Sequence, residues 1–142
     1  MGIRNESGQM TVELAVVFPV VLIIAVITVN ALLFFSDCAA FDRVARDAVR
    51  VYATSPAYGQ GQDQCAAQVK SAIEAAFSQS YTETTVSAQA VSGGCVKYTS
   101  TLAFSPNLFG RGLAPEVFGV QLPKIEHSVS YVVDTYKPGV IA

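Results

Sequence analysis

Tryptophan is absent from this 142-residue chain, and histidine occurs only once. Only 14% of its residues are charged, where an average globular domain has about a quarter. One histidine and three scattered cysteines leave little material for a metal centre or a common catalytic site. The formal net charge of −2 lacks the basic excess with which nucleic-acid binders neutralise phosphates. There is no Gly-rich phosphate loop, no Cys-x-x-Cys, no nucleophile elbow and no clustered His or carboxylate motif. These absences predict a protein that is not an enzyme and has no cofactor, metal, nucleic-acid partner or small-molecule substrate. Repeats and low-complexity tracts are missing too. With 51% hydrophobic residues and a mean hydropathy of +0.41, global disorder is excluded, and the length suits one domain.

Apolar residues are concentrated near the N-terminus. From Leu14 to Ser36 the chain reads LAVVFPVVLIIAVITVNALLFFS without a charge. About 20 such residues, rising 1.5 Å each, cross the roughly 30 Å of bilayer hydrocarbon. The polar members, Thr28 and Asn30, are uncharged, and Pro19 lies near the start, where fewer helical hydrogen bonds are lost. A buried core helix is the competing reading, but too little chain follows to wrap such a helix on every side. A cleaved secretory signal has an apolar region of only about 7–15 residues. The sequence therefore predicts a single membrane span.

Charge near the span points both ways. Arg4 precedes it, whereas Arg43, Arg46 and Arg50 follow it, which by the positive-inside rule would hold the C-terminal part in the cytoplasm. Those arginines are interleaved with Asp42 and Asp47, and the head is too short to be an exported domain. The C-terminal part is accordingly expected outside.

Beyond the span the helical period continues. Phe41, Val44, Ala45, Ala48 and Tyr52 share one face, while Asp42, Arg43, Arg46, Asp47 and Arg50 take the other. Asp42 with Arg46, and Arg43 with Asp47, have the four-residue spacing of helical ion pairs. No Gly or Pro interrupts Val20–Ser55, so one helix is expected from near Glu13 to Ala53, roughly 60 Å long. Residues 54–64, rich in turn formers, end it. A second helix is expected over Cys65–Gln79. Alternating segments at Thr82–Ala90, Val96–Phe104 and Ile125–Asp134 predict strands, with Ser92-Gly93-Gly94 as a hairpin connection. The fold class is α+β: a long N-terminal helix packed with a second helix and a small antiparallel sheet of about three strands.

His127 falls on the apolar side of the last strand, as a packed or hydrogen-bonded side chain rather than a ligand. Phe104, Phe109, Phe118 and Tyr131 read as core, and the apolar stretch Leu108–Val120 as a cover for the sheet or a contact surface. Three cysteines allow three single pairings. Cys65 opens the second helix and Cys95 the middle strand, so a bridge at one sheet edge is conceivable. Its loop of about 31 residues would be worth roughly 3.7 kcal/mol in the chain-entropy model. Cys38, at the membrane exit, would stay unpaired or meet a neighbouring subunit.

The segment Gly8-Gln-Met-Thr-Val-Glu13-Leu-Ala-Val-Val-Phe-Pro19 places a carboxylate at the mouth of the span, where leaving it unpaired in lipid is costly. Glu13 either marks the interface or answers a cation such as an amino terminus of an adjacent subunit. A polar head ending in Gly8, Glu13 five residues on, an apolar helix and Pro19 resemble the TadE-like proteins of tight-adherence (Tad/Flp) pilus systems. The run Ala45-Arg46-Asp47-Ala48-Val49-Arg50-Val51-Tyr52-Ala53 is similar to the small-residue and arginine stretch that follows the span in that family.

This resemblance implies a type IV pilin-like precursor cut by a prepilin peptidase between Gly8 and Gln9, with Glu13 taking the family's assembly glutamate role. Residues 1–8 would be a leader, 9–36 the transmembrane helix, 37–53 a stalk continuing it, and 54–142 an extracytoplasmic α+β domain. The implied role is a minor pilin or pseudopilin, with other pilin subunits, the assembly machinery and membrane lipid as partners. An uncleaved, membrane-anchored binding module, for which Glu13 is incidental, is the alternative. A membrane-tethered enzyme would require a pocket of perturbed titratable groups that the sequence does not announce.

Overall fold

The computed structural model describes residues 6–54, 56–106, 116–117, 120–121 and 123–134. Its dominant element is helix α1, Glu6–Tyr52, 47 residues long and uninterrupted at Pro19. It starts earlier than the sequence suggested. Gly8, the one glycine within the helix ahead of Glu13, costs it only about 1 kcal/mol, which the apolar turns that follow tolerate. The far end closes with the Ala53 amide donating to Val49 O (2.9 Å) and the Thr54 hydroxyl to Arg50 O.

Helix α2, Gln62–Ala76, also begins before the expected Cys65. The Gly61 amide donates to Gln64 Oε1 (3.4 Å), which ties down the first turn. It ends before Gln79 because Phe77 leaves the helical conformation, while its ring still packs 5.9 Å from that of Phe41.

Three strands follow at the expected positions: β1 (Thr82–Ala90), β2 (Cys95–Phe104) and, after a small ribbon, β5 (Ile125–Asp134). They form an antiparallel sheet in the order β1-β2-β5, with Thr82 opposite Phe104 and Phe104 opposite Ile125. Gly93 (φ 88°) and Gly94 (φ 78°) turn the β1–β2 hairpin, a backbone conformation that side chains disfavour. The ribbon, β3 (Glu116–Val117) with β4 (Val120–Gln121), lies in the connection between β2 and β5. Phe109 and most of Leu108–Val120 lie outside the described residues, as does Phe118.

The sheet has one dry face. Along β2 every second residue is buried: Val96, Tyr98, Ser100, Leu102 and Phe104. Val96, Tyr98 and Leu102 share one core with Phe41, Ala45 and Val49 of α1 and Cys65, Val69 and Ile73 of α2. One side of segment 37–53 thus forms part of the core, the packing of long helix, second helix and sheet that the sequence led one to expect. On the opposite face, Thr99 pairs with Ser130 (3.0 Å) and Thr101 with Ser128 (2.9 Å) through their hydroxyls.

The suggested Cys65–Cys95 bridge is not formed, and all three cysteines are free. The pleat gives the reason. Cys65 is buried on α2 against the core face, beside Tyr98, whose phenol is pushed up in pKa by burial and by the neighbouring Cys65 thiol. Cys95 is one residue out of phase with Val96 and Tyr98, so its side chain projects from the other face.

Leu102→Ala should destabilise the protein by about 2–5 kcal/mol, the cost of a cavity in a packed core. Ser100 is fully buried and its hydroxyl has no partner among the described residues. Ser100→Ala should therefore be neutral or stabilising. Urea unfolding of the full chain in detergent compares the two. Thiol titration of the unfolded, unreduced chain should find all three cysteines reactive, with no change in thermal midpoint on adding reductant.

Candidate functional site

The N-terminal half of α1 carries the sequence-predicted functional residues. Gly8 and Gln9 lie in its first turns, and Glu13 is exposed on its surface further along. Pro19 continues the helix. Leu14, Val16, Ile23, Ile27 and Leu32 all remain exposed, and 0% of the most apolar window of this helix is buried inside the chain. That finding removes the buried core helix as a reading of this segment. Each large apolar side chain is worth about 1.5–3 kcal/mol on burial, so the uncovered surface amounts to on the order of 30 kcal/mol. Water cannot be its resting environment.

The polar residues within this stretch bond to the helix's own backbone. Thr28 Oγ1 donates to Ile24 O (2.8 Å) and Asn30 Nδ2 to Val26 O (2.9 Å), each reaching back one turn. Such bonds satisfy side-chain donors where lipid offers no partner.

From Leu33 onward the same helix enters the fold. Phe34 packs 5.6 Å from Phe104, and Phe41 is fully buried. Asp42 then joins α1 to β5. His127 Nε2 donates to Asp42 Oδ1 (2.8 Å), and the Tyr131 hydroxyl to the Asp42 carbonyl (3.1 Å). The Arg46 guanidinium lies 6.0 Å from the centre of the Tyr131 ring. His127 is thus the hydrogen-bonded side chain its strand position suggested.

The helical ion pairs suggested by spacing do not form: among the described residues the salt bridges are Lys70–Glu74, Lys124–Glu83 and His127–Asp42. Asp42 turns to the sheet, and Arg46 follows Tyr131. Asp42 as a tertiary partner was missed because its place in the helical period assigned it to the solvent face. An Asp37 carboxylate oxygen is also buried, without a hydrogen-bond partner among the described residues.

An open groove of about 480 Å³ runs between α1 and β5, lined in part by Arg46, Arg50, Thr54 and Asp134. Among the described residues no group of three or more His, Cys, Asp or Glu side chains could hold a metal ion.

The class is an α+β protein with one long helix, apolar and bare over its first half and embedded in the domain over its second. The model of the family described as TadE-like protein matches residues 8–50, so this N-terminal part of the chain is similar to TadE-like proteins. The match starts at Gly8 and runs through Glu13, Pro19 and the arginines at 43, 46 and 50. No curated protein and no solved structure matches the chain.

His127→Ala and Asp42→Ala should each cost about 1–2 kcal/mol, and the double variant less than their sum, because both remove one hydrogen bond. Denaturant unfolding in detergent completes that cycle.

Proposed function

We infer that this chain is a pilin-like subunit, a minor pilin or pseudopilin, that serves assembly of a tight-adherence pilus. The observation that carries the reading is the continuous α1, matched by the TadE-like family model over residues 8–50, bare and apolar over its first half and locked to the domain over its second. Such a helix rests in lipid and leaves it only when neighbouring subunits cover the same apolar surface. The embedded half makes helix and domain move together, so a force applied to one extracts the other.

On this reading the head is cytoplasmic, the span crosses the inner membrane and the α+β domain stands outside. Prepilin peptidase cuts between Gly8 and Gln9. The new amino terminus of one subunit then offers a cation to Glu13 of its neighbour, an attraction strengthened by the low dielectric between packed helices. Pro19 shapes the same helix–helix contact. The partners are the peptidase, other pilin subunits, the assembly machinery and membrane lipid.

Intact mass of the protein from its native membrane, beside Gly8→Phe, tests processing. A mature chain starting at Gln9, absent in Gly8→Phe, is the expected result. A full-length chain in both would overturn the pilin mechanism and favour the uncleaved membrane-anchored binding module. Glu13→Gln should be inserted and processed normally yet fail to leave the membrane for the filament fraction.

A further inference from the structure

The length of the span determines where the bilayer ends on the domain. Counting from Glu13, about 20 residues at 1.5 Å each traverse the roughly 30 Å of hydrocarbon, which ends near Leu33 and Phe34. Leu33 and Phe34 are also where α1 begins a half-buried run into the fold, and the Phe34 ring there meets Phe104 at 5.6 Å. No bare helix is left between the hydrocarbon and the domain.

The part of the domain at that level is one end of the sheet. Register places Thr82, Phe104 and Ile125 side by side, at the start of β1, the end of β2 and the start of β5. The Tyr81 ring packs 5.5 Å from that of Phe104. Phe35 on α1 and Ile125 on β5 are exposed large apolar side chains at this end. Lys124 Nζ donates to Glu83 Oε2 (2.8 Å), a bond that lowers the pKa of Glu83 and raises that of Lys124. Aromatic rings, exposed apolar groups and a long-stemmed lysine make up the composition that settles at a membrane–water boundary.

We propose that this rim is a second membrane contact, with Phe35, Tyr81 and Ile125 in the headgroup layer and Lys124 reaching the lipid phosphates. The occupant is a phospholipid bilayer surface, continuous with the surface that surrounds the span. The proposal rests on the reading of α1 as a membrane span. Its consequence is that the domain sits on the bilayer rather than above it, so extracting a subunit peels this rim from the headgroups as well as drawing the helix from lipid.

The absence of tryptophan makes the test clean, because any tryptophan introduced is the only one. The full chain is placed in phosphatidylcholine–phosphatidylglycerol vesicles, with lipids brominated either near the headgroup or deep in the acyl chains. Single reporters are Ile125→Trp and Tyr81→Trp at the rim, Ile23→Trp at mid-span, and Tyr58→Trp, 99% exposed beyond the far end of α1. Shallow bromines should remove more than half of the emission at the rim and leave Tyr58→Trp unaffected. If Tyr81→Trp perturbs packing on Phe104, the exposed Ile125 position carries the comparison. A rim as unquenched as Tyr58→Trp, with Ile23→Trp quenched by deep bromines, overturns the proposal and leaves the span intact. An unquenched Ile23→Trp overturns both.

Discussion

The apolar surface of the first half of α1 is the constraint from which the rest follows. Among the described residues nothing buries its most apolar window, and the cost of exposing it to water is several times the net stability of a typical domain. Some other apolar phase must surround it. A bilayer provides that phase, and so does a bundle of similar helices. Because the two media are nearly equivalent to an aliphatic side chain, transfer between them needs little net hydrophobic free energy. On the proposed function, polar terms then decide the direction, and the Glu13 carboxylate at the mouth of the apolar stretch supplies one.

The second half of α1 joins that apolar half to the folded domain. Phe41, Ala45 and Val49 are core residues shared with α2 and the sheet, and Asp42 is held by His127 and Tyr131 of β5. A helix attached by a flexible linker could be drawn out without moving the domain. Here the span and the core helix form one rod, so displacement or rotation of one is displacement or rotation of the other.

Much of this was legible in the sequence. The strands at 82–90, 95–104 and 125–134 obey a two-residue alternation with one face apolar, and their flanks hold glycine, proline or serine. The span and its helical continuation were equally plain, because nothing between Val20 and Ser55 breaks a helix. Boundaries were less so: α2 starts at Gln62 through a Gly61–Gln64 contact that apolar periodicity does not register. The cysteines and charges misled for a related reason. Cys65 and Cys95 both lie near the start of an element, yet the pleat sends the Cys95 side chain to the face away from α2. Asp42 and Arg46 have ion-pair spacing, yet each finds a partner on β5.

The sequence by itself determined the features that depend on neighbours along the chain: the uncharged span, the unbroken helix, the alternating strands and the motif from Gly8 to Pro19. Hydrophobic periodicity and helix breakers act locally, so one dimension suffices to read them. Only the tertiary structure decided which side of a strand faces the helices, which polar side chains are drawn inward, and at what height along α1 the sheet attaches. Those depend on register between segments far apart in sequence, where a shift of one residue moves a side chain from one face to the other. The attachment of Phe104 beside Phe34, at the level where the bare part of α1 ends, is a decision of that kind.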